Sequence, residues 1–339
     1  MSYTLAIAGL RHGHIFSLIA EAKRLGIEIV AAAEEDAATH KSLESNEHIK
    51  ITHSSIEQML KEAQFDILGV GDYYSKRGSI VLQALRAGKH VVADKPLCTS
   101  IDECDQIAAL ARKKKLAVSS MFGLRNSAVL QHMKELIAQG AIGAVRTLCV
   151  SGQHPLMLGS RPSWYFEEGK HGGTINDIGI HAADLVPWLT GLEIVEVSAA
   201  RCWNAKASET PWFKDCAQIM LKLNNGGGMI ADFSYLSPDK CGFKVRQYWR
   251  ITVHGDKGLL EYQNGDDKLM FADSQSETPQ YLKIEKPDCA DSYLAQIIAE
   301  IEGKAKPEQL RSEYVFKTSR VALQMQQAAD QNLYAMPIG

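Results

Sequence analysis

Through the first third of this 339-residue chain, short apolar runs alternate with helical patterns, and few architectures accept that alternation. Residues 3–10 (YTLAIAGL) read as a buried strand that enters a turn at Gly9 to Gly13. Ile15, Leu18, Ile19, Ala22 and Leu25 then recur at helical spacing, with Gly26 as the C-cap. Residues 27–33 form a second apolar run, halted by Glu34-Glu35-Asp36. Strand, turn, helix and strand in that order make one βαβ unit. Further strands are expected over 66–71, 90–93 and 116–121, separated by helices near 55–62, 78–87 and 101–114. The pattern predicts an α/β domain: a doubly wound parallel sheet of the Rossmann type, with helices on both faces.

From about Arg146 the pattern changes to strands, over 147–152, 195–202, 217–223, 229–235, 249–254 and 259–262. Asn224-Asn225-Gly226-Gly227 and Gly255-Asp256-Lys257-Gly258 separate consecutive runs, as in an antiparallel meander. The expected second domain is α+β, a large, mostly antiparallel open sheet with one helix on a face. Two closing helices near 292–302 and 312–331 are expected to bury Leu294, Ile297, Ile298 and Ile301, then Val315, Val321, Leu323 and Met325. The chain length suits two domains, divided at residues 1–123 and 124–339.

A formal net charge of −3 leaves no basic footprint for nucleic acid. No apolar run approaches the roughly 18 residues of a membrane span. The N-terminal run lacks the basic region of a signal peptide. Seven cysteines (98, 104, 149, 202, 216, 241 and 289) are scattered with no CxxC pair, which points to reduced thiols in a cytoplasmic protein. His12 and His14 are not spaced with any acid to suggest metal ligation, so no metal is expected.

One stretch carries chemistry. In Gly172-Gly173-Thr174-Ile175-Asn176-Asp177-Ile178-Gly179-Ile180-His181-Ala182-Ala183-Asp184, a helix places Asp177, His181 and Asp184 on one stripe among apolar neighbours. Buried carboxylates and an imidazole need partners or water, which fits an active-site cleft or a set of satisfied core residues. At the other end of the chain, Glu34 stands where the dinucleotide fold sets an acid on the adenosine ribose hydroxyls. Glu35 and Asp36 beside it would repel a 2′-phosphate, favouring NAD over NADP; a solvated acidic turn is the plainer reading. The glycine fingerprint is altered: counting from Gly9, Arg11 occupies the second glycine position and His14 the third. Arg11, near a helix N-terminus, is expected to contact a phosphate in place of lost backbone contacts.

Gly88-Lys89-His90-Val91-Val92-Ala93-Asp94-Lys95-Pro96-Leu97 resembles the GKHVxxEKP segment of the Gfo/Idh/MocA family, the glucose–fructose oxidoreductases and inositol dehydrogenases. Phe122-Gly123-Leu124-Arg125, Gly140-Ala141-Ile142-Gly143 with Val145-Arg146, and the Gly172 to Asp184 stretch match further family segments in order. Three departures stand out. Asp94 replaces the glutamate of EKP, Asp72-Tyr73 stands where the family usually has Thr-Pro, and Arg77 where it often has histidine.

The resemblance implies an NAD(P)-dependent dehydrogenase acting on a hydroxyl of a sugar or cyclic polyol. It groups Lys95, Asp177 and His181 around the nicotinamide, with a cis Lys95-Pro96 bond. An imidazole suits proton removal while hydride leaves the same carbon, so His181 is the candidate base. Asp177 could orient that imidazole or bind a neighbouring hydroxyl, and Lys95 could polarise the reacting oxygen or pair with Asp177. Cofactor contacts are expected from Gly9, Arg11, His12, Gly13, His14, Glu34, Asp72, Asp94, Lys95, Pro96 and Arg125. Trp164 and Tyr165 could face a sugar ring, or staple a loop. Arg161, Lys170 and His171 flank the same loop, and His154 reads as a loop residue. The face of the second sheet opposite its helix is expected to pack against another subunit, giving a homodimer or homotetramer. Two rival functions remain: a sensor that binds NAD and sugar without turnover, and an enzyme using tightly held NAD transiently for hydrolysis or epimerisation.

Overall fold

The computed structural model describes residues 3–285, 292–306 and 308–339; Cys289 lies outside them. Two sheets organise the chain into two compact units. One unit comprises 1–121, 162–172 and 291–320, and the other 122–161, 173–290 and 321–339. A single cut after residue 123 would leave 162–172 and 291–320 with the second unit, whereas their contacts lie in the first.

The first unit follows the expected alternation. Strands β1 (Thr4–Ala8), β2 (Glu28–Ala33), β3 (Ile67–Val70), β4 (His90–Ala93) and β5 (Val118–Ser120) form a parallel sheet in the order β2-β1-β3-β4-β5. Helices α1 (Ile15–Arg24), α2 (Ala37–Ser42), α3 (Ile56–Glu62), α4 (Tyr74–Arg86) and α5 (Ile101–Lys114) make the crossovers. Asp36, Ser55 and Ser100 cap α2, α3 and α5 by accepting the N–H three residues on. Leu5, Ile7, Leu18, Ile67 and Val92 form the core, and β1, β3 and most of β4 are buried along their length, as parallel strands covered on both faces must be. The sequence placed the closing helix α8 (Tyr293–Ile301) with the second domain. Its Leu294 and Ile297 instead complete this core, beside Leu5 and Ile15.

The second unit holds a nine-stranded sheet in the order β13-β12-β11-β10-β6-β9-β8-β7-β14. In chain order these are β6 (Val145–Pro155), β7 (Ile194–Trp203), β8 (Cys216–Leu223), β9 (Gly228–Ser237), β10 (Arg250–Gly255), β11 (Gly258–Gln263), β12 (Lys268–Asp273), β13 (Gln280–Lys283) and β14 (Met336–Pro337). Every neighbouring pair is antiparallel except β6 and β9. A parallel pair needs a long crossover, and here the chain between β6 and β7 supplies one that contains α7 (Ile180–Thr190). The expected meander is therefore interrupted at its centre. Strands β12 and β13 and helices α2 and α6 (Ala128–Ala138) were not anticipated. The last helix, α9 (Ser312–Asp330), contributes residues to both units.

Arg125, in the 3-10 turn Gly123–Asn126, fixes α7 in this unit. Its Nε and Nη2 donate to Asp184 Oδ1 at 2.8 and 2.5 Å, with both side chains buried. Removing one partner of a buried pair strands the other charge. Arg125→Met is expected to lower the unfolding free energy by about 3 kcal/mol in urea denaturation.

Candidate functional site

In a doubly wound sheet, ligands approach at the carboxyl ends of the strands, so the loops after β1, β3 and β4 are the first place to look. Gly9 ends β1 with φ +74°, and a Cβ there would lie 2.6 Å from Asp72 Cβ. Only glycine meets both demands. The next residue, Leu10, donates its N–H to Glu34 Oε2 at 2.6 Å, and Glu34 Oε1 accepts from Asp36 N at 2.7 Å. Glu34 is thus buried and bonded to main chain rather than solvated. Arg11 Nε lies 3.4 Å from Glu34 and 3.2 Å from Asp72 Oδ1. Gly13 and His14 lead into α1, whose N-cap His14 makes no side-chain capping bond. Beside this turn is a cavity of about 500 Å³, lined by Leu10, Arg11, Gly13, Thr39, Trp164 and Lys170 among others.

A dinucleotide suits this edge in three respects. The first glycine turn is intact, a helix begins just after it, and the cavity lies near the end of β2, where adenosine belongs. Cofactor phosphates would meet the Gly9 to His14 turn, and a ribose would meet the Glu34 to Asp36 corner.

Asp94, at the end of β4, is the centre of a second cluster. Local spacing offers His12 and His14 no acid; the fold supplies this one, 82 residues from His12. His12 Nδ1 hydrogen-bonds Asp94 Oδ2, His14 Nδ1 lies 3.2 Å from Oδ1, and Arg77 Nη2 donates to Oδ2 at 2.9 Å. Burial is the largest single influence and opposes ionisation of Asp94, but Arg77, His12 and His14 together outweigh it and hold the carboxyl well below the usual range. Burial pushes His12 down to about 4, so its imidazole is neutral at pH 7. A neutral imidazole facing a carboxylate must carry its proton on Nδ1. Nε2 then accepts from the Tyr165 hydroxyl at 2.8 Å, and Tyr165 in turn meets Tyr74 Oη at 2.8 Å. With both Asp94 oxygens engaged by nitrogens of His12, His14 and Arg77, the four residues make a closed hydrogen-bond network.

Lys95 follows directly, buried, before a cis Lys95-Pro96 bond. Arg77 Nη1 donates to the carbonyls of Lys95 (2.5 Å) and Pro96 (3.2 Å) and fixes the main chain there. Trp164 and Tyr165 stack on each other at 4.1 Å, and both rings pack on His12 and Tyr74. The Trp164 indole N–H reaches the Arg11 carbonyl at 3.3 Å.

Gly172 ends the 162–172 segment of the first unit and Gly173 opens the helix-bearing segment of the second, with φ of +77° and +98°. A Cβ on Gly173 would strike Gln326, whose Oε1 accepts the N–H of Ile175 at 2.9 Å. The helix then opens into a π turn, Ile175–Gly179, before regular α7. The widened turn divides the expected stripe. Asp177 takes the Tyr235 hydroxyl, His181 lies edge-on to Trp249 with centroids 4.8 Å apart, and Asp184 pairs with Arg125. Arg125, expected at the cofactor, has its guanidinium engaged in that buried pair. His154 sits at the end of β6, buried among Tyr235, Tyr248, Trp249 and Phe243, and the Arg161 guanidinium lies 5.3 Å from the Tyr235 ring centre. These aromatics were passed over in sequence because strand alternation shows which residues are buried, not which meet an acid.

The depressed His12 value has a measurable consequence. Between pH 6.5 and 4 the unfolded chain binds a proton at His12 that the folded chain refuses, so stability falls as pH drops through that window. The loss approaches about 3 kcal/mol at pH 4. Asp94 adds to it only below its ordinary value of 3.8. In urea titrations across pH 7 to 4, His12→Gln is expected to show a shallower fall than the wild type.

The description "Oxidoreductase family, NAD-binding Rossmann fold" matches residues 4–122, and "GFO/IDH/MocA C-terminal domain" matches 130–261. An uncharacterized oxidoreductase of Synechocystis sp. is 24% identical over 194 residues, 56% of this chain and 51% of the relative, so the match spans about half that protein's length. The 1,5-anhydro-D-fructose reductase of Ensifer adhaerens is 25% identical over 305 residues, 86% of this chain and 85% of the relative. The structure of an inositol dehydrogenase homolog complexed with NAD+, from Azotobacter vinelandii, shares the fold with a TM-score of 0.82 at 16% identity, covering 99% of this chain and 97% of that one. No helix among the described residues is long and apolar enough to cross a membrane. The chain belongs to the Gfo/Idh/MocA family of NAD-binding oxidoreductases.

Proposed function

We propose that the protein is a cytoplasmic dehydrogenase that oxidises a hydroxyl of a sugar or cyclic polyol, with NAD preferred over NADP. The observation that carries this reading is the pairing of Asp177 with Tyr235 one turn before a buried His181. A carboxylate held by a phenol and an imidazole four residues on, on one helical stretch, are groups suited to binding a hydroxyl and taking its proton. His181 is the proton acceptor and Asp177 binds or orients. Lys95, whose main chain Arg77 holds, supplies a positive charge that stabilises developing alkoxide. When bound, the nicotinamide ring accepts the hydride. Glu34, Glu35 and Asp36 at the end of β2 support NAD, because a 2′-phosphate would meet their charges.

The substrate class comes from the relatives. One is named a 1,5-anhydro-D-fructose reductase, and a structural neighbour is a levoglucosan dehydrogenase in complex with NADH. A panel of sugars and cyclic polyols followed by NADH absorbance, with NADP run alongside, tests the reading. His181→Ala and Lys95→Met are each expected to lower kcat by about a hundredfold or more while NADH affinity changes little. If His181→Ala keeps turnover within a few-fold, the proton acceptor is misassigned. NADH binding with no turnover across the panel would point to a sensor.

We also propose that the subunits associate through the open face of the nine-stranded sheet. On that face Met220, Ile230 and Tyr334 are exposed around a depression of about 910 Å³. Their neighbours on the strands, Ile219, Leu221, Met229 and Ala231, point to the opposite, buried face. Ile230→Asp is expected to shift light scattering toward a smaller species.

A further inference from the structure

The edge of the parallel sheet where cofactor phosphates would approach has already neutralised its own cations. Arg11, at the altered second glycine position, lies between Glu34 and Asp72. Lys76, in the first turn of α4, lies 2.7 Å from Glu35 and 3.0 Å from Asp72 Oδ2. Lys170 pairs with Glu167. The three cations surround the Tyr73 ring, at 5.1, 6.0 and 5.0 Å from its centre. Asp72 is the hub of this arrangement. It is fully buried, its carboxylate joins Arg11 to Lys76, and its β-carbon sits directly against Gly9 of the phosphate turn.

Around Arg11 and Lys76 there are thus three carboxylates for two cations, with no surplus positive charge. A pyrophosphate brings about two negative charges to this turn. It must draw Arg11 and Lys76 away from Asp72 or settle beside a buried carboxylate, and either step weakens binding.

We infer that Asp72 is an internal stand-in for the cofactor phosphate, competing for Arg11 and Lys76, so that the dinucleotide is an exchanging cosubstrate rather than a group retained through purification. This rests on the dinucleotide reading of the same edge. It assigns the protein to net oxidation or reduction with external NAD, and against chemistry in which one held NAD is reduced and reoxidised within a single turnover.

Asp72→Asn tests the inference. The amide keeps an acceptor for the Tyr73 N–H, which Asp72 Oδ1 now takes at 2.8 Å, and removes the charge. Arg11 and Lys76 retain Glu34 and Glu35 as partners, so the loop keeps its pairing. Calorimetric titration with NADH is expected to show roughly tenfold tighter binding, about 1.4 kcal/mol, with Asp72→Thr behaving alike. Adding Arg11→Ala to Asp72→Asn should abolish most of the gain. Wild-type protein, denatured and examined by mass spectrometry, should release well under one dinucleotide per chain. NADH binding that is equal or weaker in both Asp72 variants, or stoichiometric dinucleotide in the purified wild type, overturns the inference and leaves the dehydrogenase reading standing. If neither wild type nor variant binds NADH at all, the inference and the cofactor reading fall together.

Discussion

The functional edge of the first unit depends on one buried guanidinium. Arg77 has no exposed surface and donates Nε to the Asp72 carbonyl, Nη1 to those of Lys95 and Pro96, and Nη2 to the Asp94 carboxylate. Withdrawing such a charge from water costs several kcal/mol, offset here because its nitrogens all find acceptors and one of them is ionised. The planar fork reaches the loops after β3 and β4 at once. A lysine, with a point charge on a flexible stem, could not span both. Lys95 therefore inherits its main-chain position from a residue on helix α4, before any of its own side-chain contacts are counted.

This also explains why departures from the family pattern occur together. The shorter carboxylate of Asp94 lies within reach of Arg77, His12 and His14, two of which occupy the altered glycine turn. A histidine in that turn would otherwise leave a buried ring nitrogen unsatisfied, at a cost of about 1–3 kcal/mol. Asp72 does the equivalent for Arg11 on the other side of Gly9. The turn has exchanged the open backbone of glycines for two networks of side chains, one around each acid.

The parallel sheet was legible in sequence because β1, β3 and β4 are short, apolar and bounded by turns, and their burial is dictated by fold class. β12 and β13 escaped because β12 is mostly half buried, β13 mostly exposed, and they carry Lys268, Asp273 and Lys283 at their ends. Helix α2 buries no residue and so leaves no apolar period to read, whereas α6, with Val129, Leu130, Met133 and Ile137, carried one that was overlooked. At the site, residue types in familiar motifs pointed to Lys95, Asp177 and His181. Partners did not show: Asp94 for His12 and Tyr235 for Asp177 lie 82 and 58 residues away, and periodicity is blind beyond a few turns. The π turn was invisible for another reason, since it rests on Gln326, supplied by α9.

The first unit is not a continuous length of chain, and that bears on how the protein can be assembled and altered. Its aromatic cluster waits for Trp164 and Tyr165, and its core for Leu294 and Ile297, the latter pair delivered more than a hundred residues after residue 121. During synthesis the opening βαβ units must persist with a bare apolar flank until the rest of the polypeptide emerges. Such non-local closure slows folding and prolongs exposure to aggregation. A fragment ending at residue 121 would lack part of its own interior, so this nucleotide-binding half cannot be excised, shuffled or grafted as a cassette in the way its sequence pattern suggests.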